Sequence, residues 1–480
     1  MNIRLVVYVL GIVIVGVGLS MLLPIAISLY YQDGDLFSLV YSSMICIFLG
    51  LIVSYSSKEE GDIGIKDGFA IVTFGWISAA LFGSLPFLFF GTFNNFTDAF
   101  FEAMSGFTTT GATVLANIEK QPHGILVWRS LTQWLGGMGI IVLSIAILPA
   151  LRVGGMQLFK AEVPGPSQDR LTPRIKDTAR LLWMVYVIIS ATETLLLLLG
   201  GMSLFDALNH TFTTMATGGF STKDASIGAF NSPYFDAVIT LFMFMAGINF
   251  ALHYQMLKGN LKSFFKDTEF LFYLGVVGFF ITLVVINLKF SAQKPLTDAI
   301  RYGSFQVVSI VTTTGYGTAD FELWPQFSQY TLLLLMFIGG CAGSTGGSIK
   351  NIRILLLIKY AYYELYKLIH PRAIISIKIR DKMVSEDILQ GVLGFFLLYM
   401  AVFVVSSLFM ALLGLDMITA ISSVAATIGN VGPGLGMVGP TDNYAHIPFL
   451  GKWLLSLCML IGRLEIYTVL IFFIPEFWKK

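Results

Sequence analysis

Four turns rich in threonine and glycine recur along this chain, each preceded by a short stretch that begins with an aspartate. Glycine permits backbone angles at which successive carbonyl oxygens point the same way, and it places no side chain in a lumen. Rings of such oxygens can replace the hydration shell of K⁺. The pattern therefore predicts that the turns form a cation filter. Aligned on glycine, the predicted filter residues are Thr109, Thr110, Gly111; Ala216, Thr217, Gly218; Thr313, Thr314, Gly315, Tyr316; and Thr427, Ile428, Gly429, Asn430.

The number of copies decides between a filter and an ordinary loop. A single Thr-Gly turn is typical of a loop, but four copies at matched places favour turns that meet on one axis. Non-helical backbone at membrane depth is tolerated only where protein buries it or where it lines a water-filled path. Only the third turn, at Gly315, approaches the TVGYG loop of tetrameric potassium channels.

The aspartates before the turns have a structural interpretation. Aspartate at a helix N-terminus caps free amide groups and favours the positive end of the helix dipole. We therefore predict that they cap short helices, with cation attraction at an outer mouth as a second role. The C-terminal ends of such helices point partial negative charge at the turns, which favours a cation there. These aspartates are Asp98, Asp206, Asp298 and Asp416.

A run of glycines interrupts the apolar segment 328–358. Five glycines fall between positions 339 and 347, and glycine costs about 1 kcal/mol relative to alanine inside a helix. We predict an irregular, movable loop in the ion path; close helix packing is the alternative. The predicted gate residues in this loop are Gly343, Ser344, Thr345, Gly346 and Gly347.

Arg463 lies about midway along the last apolar segment. A charge at that depth costs at least about 2.5–3.5 kcal/mol, so it should face the bundle interior or a cavity. Two roles remain open: a gate element that opposes cations, or a structural salt bridge to another helix. Glu465 points to a different helix face and is not expected to be its partner. Glu193 is expected to be a buried hydrogen-bonding group.

Composition identifies the elements that must position these residues. The chain has 480 residues, of which 56% are hydrophobic and 12% charged, whereas soluble proteins have about 25% charged residues. The bilayer must therefore surround most of the surface. The net charge of +1 argues against a nucleic-acid partner, and the spacing of the three cysteines indicates neither a disulfide framework nor a zinc site.

Ten segments have the roughly 20 apolar residues that a spanning helix needs. The first is too long for a signal-peptide core and is interpreted as a retained membrane helix. The segments are 5–31, 36–57, 68–91, 125–150, 178–200, 234–258, 270–289, 328–358, 386–414 and 450–474.

The order of segments and turns predicts the fold. It is an all-α integral membrane protein: a single-chain pseudo-tetramer of four repeats, each a helix, a pore half-helix, a filter loop and a helix. Two extra N-terminal transmembrane helices precede the repeats. The predicted boundaries are 1–57 for the two helices and 58–155, 156–260, 261–382 and 383–480 for the repeats. The lysine- and arginine-rich connections 151–180 and 359–382 place both termini in the cytoplasm.

Together these features resemble the Trk/Ktr/HKT superfamily of potassium transporters, and the two extra helices with the broken eighth span are similar to its TrkH/TrkG branch. The resemblance rests on the four turns, on the GGCAGSTGGS motif and on Arg463. It implies a filter of glycine turns, an intramembrane gate loop and a narrowing arginine. It also implies a homodimer in a bacterial inner membrane and a cytosolic ring of TrkA-like, nucleotide-binding subunits. Glycine at position 111, where sodium-preferring plant relatives tend to carry serine, favours K⁺.

The function predicted from the sequence is K⁺ uptake through a gated, channel-like pore. The alternative is a transporter that couples K⁺ to H⁺ or Na⁺, for which Glu193 and Arg463 are the candidate residues. The sequence contains no HExxH motif, no nucleophile elbow and no nucleotide fingerprint. We therefore predict neither an enzyme nor an organic cofactor, with K⁺ as the transported ion.

Overall fold

The structure is a computed structural model that describes residues 1–59, 64–146, 175–371, 377–379 and 382–479. Most of these residues are helical, and the two strands form a short antiparallel hairpin. The helices and strands are α1 (Ile3–Ser20), α2 (Leu22–Tyr31), α3 (Leu36–Ser56), α4 (Ile65–Gly83), α5 (Leu85–Phe90), α6 (Phe96–Phe107), α7 (His123–Ala146), α8 (Ile175–Leu199), α9 (Leu204–Met215), α10 (Pro233–Ala246), α11 (Phe250–Leu257), α12 (Lys262–Lys266), α13 (Thr268–Phe290), α14 (Leu296–Val311), α15 (Gln326–Leu335), α16 (Asn351–Ile369), β1 (Lys378–Ile379), β2 (Lys382–Met383), α17 (Glu386–Leu412), α18 (Met417–Ile428), α19 (Phe449–Arg463), α20 (Tyr467–Leu470) and α21 (Pro475–Trp478).

Six of the predicted spans are confirmed as helical segments long and apolar enough to cross a bilayer. The predicted segment 125–150 corresponds to α7, and its last residues, 147–150, lie outside the described part, as does most of the basic connection 151–180. The six confirmed segments are Ile3–Tyr31, Leu36–Ser56, Ile65–Phe90, Ala179–Leu199, Thr268–Phe290 and Glu386–Leu412.

Two predicted spans, 234–258 and 450–474, are bent pairs of helices and not continuous helices. The first bends by 103° between α10 and α11, and the second bends by 115° after α19. At the first bend, main-chain groups bond another segment: Cys341 N donates to Gly247 O at 2.8 Å. Arg463 is consequently the last residue of α19, next to the second bend, and is not midway along a span.

The segment 328–358 is broken as predicted. Helix α15 ends at Leu335 and α16 begins at Asn351, leaving residues 336–350 as a connection (loop 336–350). The loop folds back on itself, since Gly339 N donates to Ile349 O at 2.9 Å. It is anchored in the bend between α10 and α11, where Phe250 N donates to Gly343 O at 3.1 Å.

Four short helices, called half-helices here, precede the glycine turns: α6, α9, α14 and α18. Of the four aspartates, only Asp416 is a cap; its carboxylate accepts from Thr419 N at 3.0 Å. Asn95 and Ser203 cap α6 and α9 instead, while α14 begins after Pro295 without a side-chain cap. Asp98, Asp206 and Asp298 lie in the first helical turn, where they still face the positive end of the dipole.

The loop between α2 and α3 holds the start of α7. His123 N donates to an Asp33 carboxylate oxygen, and Ile125 N donates to an Asp35 carboxylate oxygen, both at 3.0 Å. Two carboxylates from the N-terminal helices thereby satisfy free amides at the N-terminus of α7.

The two chain ends lie together on the opposite side of the bundle from that loop. Asn2 N donates to Asp67 at 2.6 Å, and Lys66 Nζ donates to Lys479 O at 2.7 Å. Both contacts fall at the start of α4, so the two termini share one face of the protein.

Candidate ion-conduction site

The four turns share one backbone conformation. The second residue after each half-helix has a left-handed φ between 52° and 59°, and the fourth residue is a glycine with φ between 76° and 99°. Left-handed angles are costly for residues with a Cβ, so glycine at the fourth position has a physical reason. The paired residues are Thr109 and Gly111, Thr217 and Gly219, Thr313 and Gly315, and Asn430 and Gly432.

This conformation corrects the alignment of two turns. The glycine equivalent to Gly111 and Gly315 is Gly219, one residue after Gly218, and Gly432, three residues after Gly429. The equivalent turn residues are therefore 108–111 (turn 1), 216–219 (turn 2), 312–315 (turn 3) and 429–432 (turn 4). Thr427 and Ile428 are the last residues of α18 and lie outside turn 4.

The glycines form a closed ring. Each packs against the carbonyl oxygen of the residue that precedes the glycine of the next turn, so closely that a Cβ would not fit. A Cβ would lie 2.2 Å from Gly218 O on Gly111, 1.9 Å from Thr314 O on Gly219, 1.9 Å from Val431 O on Gly315 and 2.7 Å from Thr110 O on Gly432. The sequence of contacts runs from turn 1 through turns 2, 3 and 4 and back to turn 1.

The amides beside these carbonyls bond back to their own half-helices. In every turn the third residue donates its N–H, at 2.8 Å, to a carbonyl five residues earlier. With these amides satisfied inside their own turns, the neighbouring carbonyl oxygens can point at a cation that has lost its hydration shell; one of them, Gly218 O, also accepts from Gln133 Nε2 at 2.7 Å. The four bonds are Thr110 N to Ser105 O, Gly218 N to Thr213 O, Thr314 N to Ser309 O and Val431 N to Ala426 O.

Turn 3 is tied to the second half-helix by Tyr316. This buried side chain donates from its hydroxyl to His210 O at 3.0 Å and also bonds the Thr213 hydroxyl. Ser309 donates to Tyr316 O at 2.8 Å, which fixes the chain just past Gly315.

Turn 4 is tied to its neighbours by Asn430. The Asn430 amide donates to the Thr110 hydroxyl at 3.0 Å and to Met459 O at 2.9 Å. Tyr444 then donates to Gly432 O at 2.7 Å. Turn 4 therefore touches both turn 1 and α19, the helix that ends in Arg463.

The chain segments that follow turns 3 and 4 meet at Glu322. Its carboxylate accepts from Gly436 N at 2.5 Å. Burial raises the pKa of Glu322, the amide of Gly436 lowers it, and Asp320 and Asp442 raise it again, so that the pKa lies above its ordinary value. The chain segments that follow turns 3 and 4 thus carry carboxylates close to one another.

Loop 336–350 contacts the C-terminal ends of three half-helices. Thr345 donates from its hydroxyl to Met215 O at 3.0 Å, and Gly347 N donates to the Thr313 hydroxyl at 2.7 Å. A Cβ on Gly347 would lie 2.5 Å from Gly429 O. The structure therefore brings the predicted gate residues next to turns 2, 3 and 4.

Arg463 bonds carbonyl oxygens and not a carboxylate within the described residues. Its Nη1 donates to Thr345 O at 2.7 Å and its Nη2 to Gly136 O at 3.3 Å. Among the described residues, the structure thus gives Arg463 carbonyl partners and no salt bridge to another helix. Glu465 instead pairs with Arg353 at 2.5 Å, which confirms that Glu465 is not the partner of Arg463.

Gly136 in turn packs on the end of the first half-helix, because a Cβ there would lie 2.1 Å from Phe107 O. Arg463 thus connects the loop to the side of turn 1. A second cation, Lys350 Nζ, donates to Gly346 O in the loop. Two positive side chains therefore reach the carbonyl oxygens of the same loop, and positive charge opposes a cation that approaches it.

Several residues of this site were not predicted from the sequence. Gly219 and Gly432 are ring glycines, and Gln133 holds turn 2 by donating to Gly218 O at 2.7 Å and accepting from Phe220 N at 3.1 Å. Each of these two glycines lies four residues after the end of its half-helix, a position that is recognised only once the helix ends are known.

A bundle of apolar helices around a ring of four equivalent turns defines the class: a multi-pass membrane transport protein. The sequence profile of the TrkH family, described as a cation transport protein, matches residues 36–480. The chain belongs to the TrkH family.

Relatives match over the full length. The Trk system potassium uptake protein TrkH of Salmonella typhimurium is 44% identical over 492 residues, covering 100% of both chains. The potassium uptake protein TrkG of Escherichia coli K12 is 35% identical over 483 residues, covering 100% of this chain and 99% of that protein. The crystal structure of the potassium transporter TrkH from Vibrio parahaemolyticus superimposes with a TM-score of 0.92 at 38% identity, covering 100% of both chains.

Proposed function

We propose that this protein takes up K⁺ through a gated, channel-like pore whose filter is the ring of four turns. The observation that carries the proposal is the closed cycle in which each ring glycine packs against a carbonyl of the next turn. Main-chain carbonyls arranged around one axis replace the water that K⁺ loses on entry. The relatives that match along the whole chain are named as potassium uptake proteins.

The filter consists of the residues predicted from the sequence around Gly111, Gly218 and Gly315, together with Gly219, Val431 and Gly432. In this proposal the fold is a single-chain pseudo-tetramer with repeats at 58–155, 156–260, 261–382 and 383–480. The helices of residues 1–57 stand outside the fourfold arrangement and brace α7 through Asp33 and Asp35.

The gate consists of residues Gly343 to Gly347 and Arg463. Its position against the inner ends of the half-helices, with two cations bonded to its carbonyls, supports this role. Opening requires that the loop move away from turns 2 to 4. Glycine-rich backbone permits such a movement because few side chains must repack.

The setting of the pore follows from the family and the charge pattern. We place the protein in a bacterial inner membrane with both termini in the cytoplasm, where the basic connections lie. It works as a homodimer with a TrkA-like cytosolic ring that binds nucleotides. The shared face of the two termini agrees with this orientation.

Purified protein in lipid vesicles tests the proposal. We expect K⁺ to enter faster than Na⁺, at a rate set by the K⁺ gradient and the membrane potential. A vesicle preparation with correctly inserted protein that moves Na⁺ as fast as K⁺ would contradict a K⁺ filter.

A coupled transporter is the second candidate, favoured by one observation: Glu193 is completely buried in α8. A titratable group at membrane depth is a feature of proton-coupled carriers. The same vesicles separate the two mechanisms. K⁺ flux that is unchanged by imposed H⁺ and Na⁺ gradients at a clamped potential rules out coupling.

A further inference from the structure

A buried ion pair lies beside the first two turns. Glu102 of α6 and Arg129 of α7 meet with Nε and Oε1 2.6 Å apart, and their side chains are 0% and 2% exposed. A buried pair of this kind contributes little net stability unless its remaining donors and acceptors are satisfied. The other hydrogen-bond partners of Glu102 and Arg129 therefore indicate what the ion pair does.

Glu102 fixes the chain that leaves turn 1. Its carboxylate oxygens accept from the Thr113 hydroxyl at 2.9 and 3.1 Å, and Oε2 also accepts from Val114 N at 3.0 Å. Thr113 and Val114 are the second and third residues after Gly111. The carboxylate thus determines where the chain goes directly after the ring.

Arg129 fixes the corresponding chain of turn 2. Its Nη1 donates to Ser221 O at 2.9 Å, and its guanidinium carbon lies 3.6 Å from the centre of the Phe220 ring. Ser221 is the second residue after Gly219, the position equivalent to Thr113. The planar guanidinium therefore donates from Nε to Glu102 and from Nη1 to the chain that leaves turn 2.

Turns 2 and 3 have a similar tie but lack the charge. The residue nine positions before the ring glycine is Glu102 in turn 1 (111 − 102 = 9), His210 in turn 2 and Gln306 in turn 3. His210 bonds the Ser221 hydroxyl at 3.0 Å, and Gln306 accepts from Thr318 N at 3.2 Å. Each of these contacts holds its own turn, whereas the Glu102–Arg129 pair extends to the next one.

We infer that Glu102 and Arg129 are positioning residues that determine ion specificity, because they hold turns 1 and 2 at the spacing that suits K⁺. The inference rests on the proposed filter. Carbonyl positions that shift by a fraction of an ångström change the fit between K⁺ and the smaller Na⁺. A fork of fixed geometry that joins two turns limits this shift.

Arg129→Lys tests the inference. Lysine keeps the charge but has a single ammonium group, which cannot reproduce the two-edged contact or the stacking on Phe220. We expect the ratio of K⁺ to Na⁺ uptake in vesicles to fall roughly ten-fold, the size of the coupling between directly bonded groups. The amount of inserted protein is expected to stay the same.

Arg301→Lys is the matched control. Arg301 Nε also lies 2.6 Å from a carboxylate oxygen, that of Asp236, but the pair joins α14 to α10 away from the turns. We expect this variant to keep the wild-type ratio. An unchanged ratio in Arg129→Lys, or an equal fall in both variants, would overturn the inference.

Thr113→Val serves if Arg129→Lys does not insert. It removes the hydroxyl that bonds Glu102 and that also accepts from Leu115 N at 3.0 Å, and it leaves the ion pair in place. We expect a smaller fall in the ratio, and a wild-type ratio would overturn the inference. Failure of the proposed filter itself looks different, because wild-type protein would then show no preference for K⁺ at all.

Discussion

In the ring, four chain segments repeat one main-chain geometry, whereas loop 336–350 occurs once and is held by an irregular set of main-chain and side-chain contacts. The ring glycines have φ between 76° and 99°, and the third residue of every turn makes the same hydrogen bond to its half-helix. The loop depends on single contacts from Thr345, Lys350 and Arg463. Repetition suits a filter, because all sides of an ion must be treated alike. A single copy suits a gate, because it can move without disturbing that symmetry.

The comparison predicts two kinds of variant. Changes in the ring should alter which ion passes, and changes in the loop should alter how often any ion passes. Selectivity ratio and resting flux are separate measurements on the same vesicles, so each variant can be assigned to one kind.

Gly315→Ala is expected to have the largest effect. The left-handed φ of 80° costs alanine about 1–2 kcal/mol, and its Cβ would lie 1.9 Å from Val431 O. The strain alone corresponds to roughly a ten-fold change, so we expect K⁺ uptake to fall by at least that factor, with a lower K⁺ to Na⁺ ratio. Gly317→Ala is the control, since its Cβ would meet only Pro440, at 3.8 Å. If the two variants behaved alike, Gly315 would not be a filter residue.

Arg463→Ala should affect the gate and leave the filter intact. The variant removes a cation that bonds Thr345 O and Gly136 O. If the open state is a minor population of a few per cent, resting K⁺ flux can rise roughly ten-fold, and we expect an increase of that order with an unchanged K⁺ to Na⁺ ratio. A lower flux in well-inserted protein would assign Arg463 a structural role and would erase the contrast between ring and loop.

Tyr316→Phe tests the contrast between ring and loop by removing hydrogen bonds that hold turn 3 alone. The hydroxyl bonds His210 O and Thr213, but both keep other partners, because Thr214 also donates to His210 O at 2.7 Å. We therefore expect only a roughly three-fold fall in the K⁺ to Na⁺ ratio, within the range for one buried hydrogen bond. Tyr234→Phe removes a hydroxyl that also donates to a carbonyl, Leu196 O at 2.9 Å, on the exposed surface. This control should keep the ratio, and an equal fall in it would indicate a general loss of packing.

The sequence was sufficient to locate the four turns and loop 336–350, but it did not determine their geometry. The break at 336–350 was predictable because five glycines between positions 339 and 347 disfavour a helix, and the four turns were predictable because a glycine turn recurs four times along the chain. The register was not readable in turns 2 and 4, because Thr217-Gly218-Gly219 offers two glycines and Asn430-Val431-Gly432 has no threonine. Only the packing of one turn on the next selects the correct glycine.

The bends after α10 and after α19 could not be predicted from the local sequence either. The chain turns at Gly247 because loop 336–350 bonds there, and Glu465 takes a left-handed φ of 57° where it pairs with Arg353. Both depend on residues distant in sequence. The caps Asn95 and Ser203, by contrast, were readable, since an Asn or Ser three residues before an acid is a local signal for a helix start.

Asp416 gives the smallest expected effect and separates helix capping from ion attraction. Asp416→Ala removes the cap on α18, and we expect a loss of about 1 kcal/mol in stability, seen as a lower unfolding temperature. Asp416→Asn retains a capping oxygen, so its stability and its K⁺ uptake should match the wild type at pH 7. Reduced uptake in Asp416→Asn at normal stability would show that the charge attracts cations.

The pH dependence of the same cap follows from its hydrogen bonds. The side chain and then the amide of Thr419 lower the pKa of Asp416. A carboxyl whose pKa is lower in the folded state stabilises the fold fully above its unfolded pKa, about 3.9, and loses that contribution as the pH falls through the folded value. Wild type and Asp416→Asn should therefore unfold alike at pH 7, and below about pH 4 the wild type should lose more stability than Asp416→Asn, because the other carboxylates titrate in both proteins. Because the cap lies at the far end of α18 from turn 4, the K⁺ to Na⁺ ratio should stay constant throughout, in contrast to every change made in the ring itself.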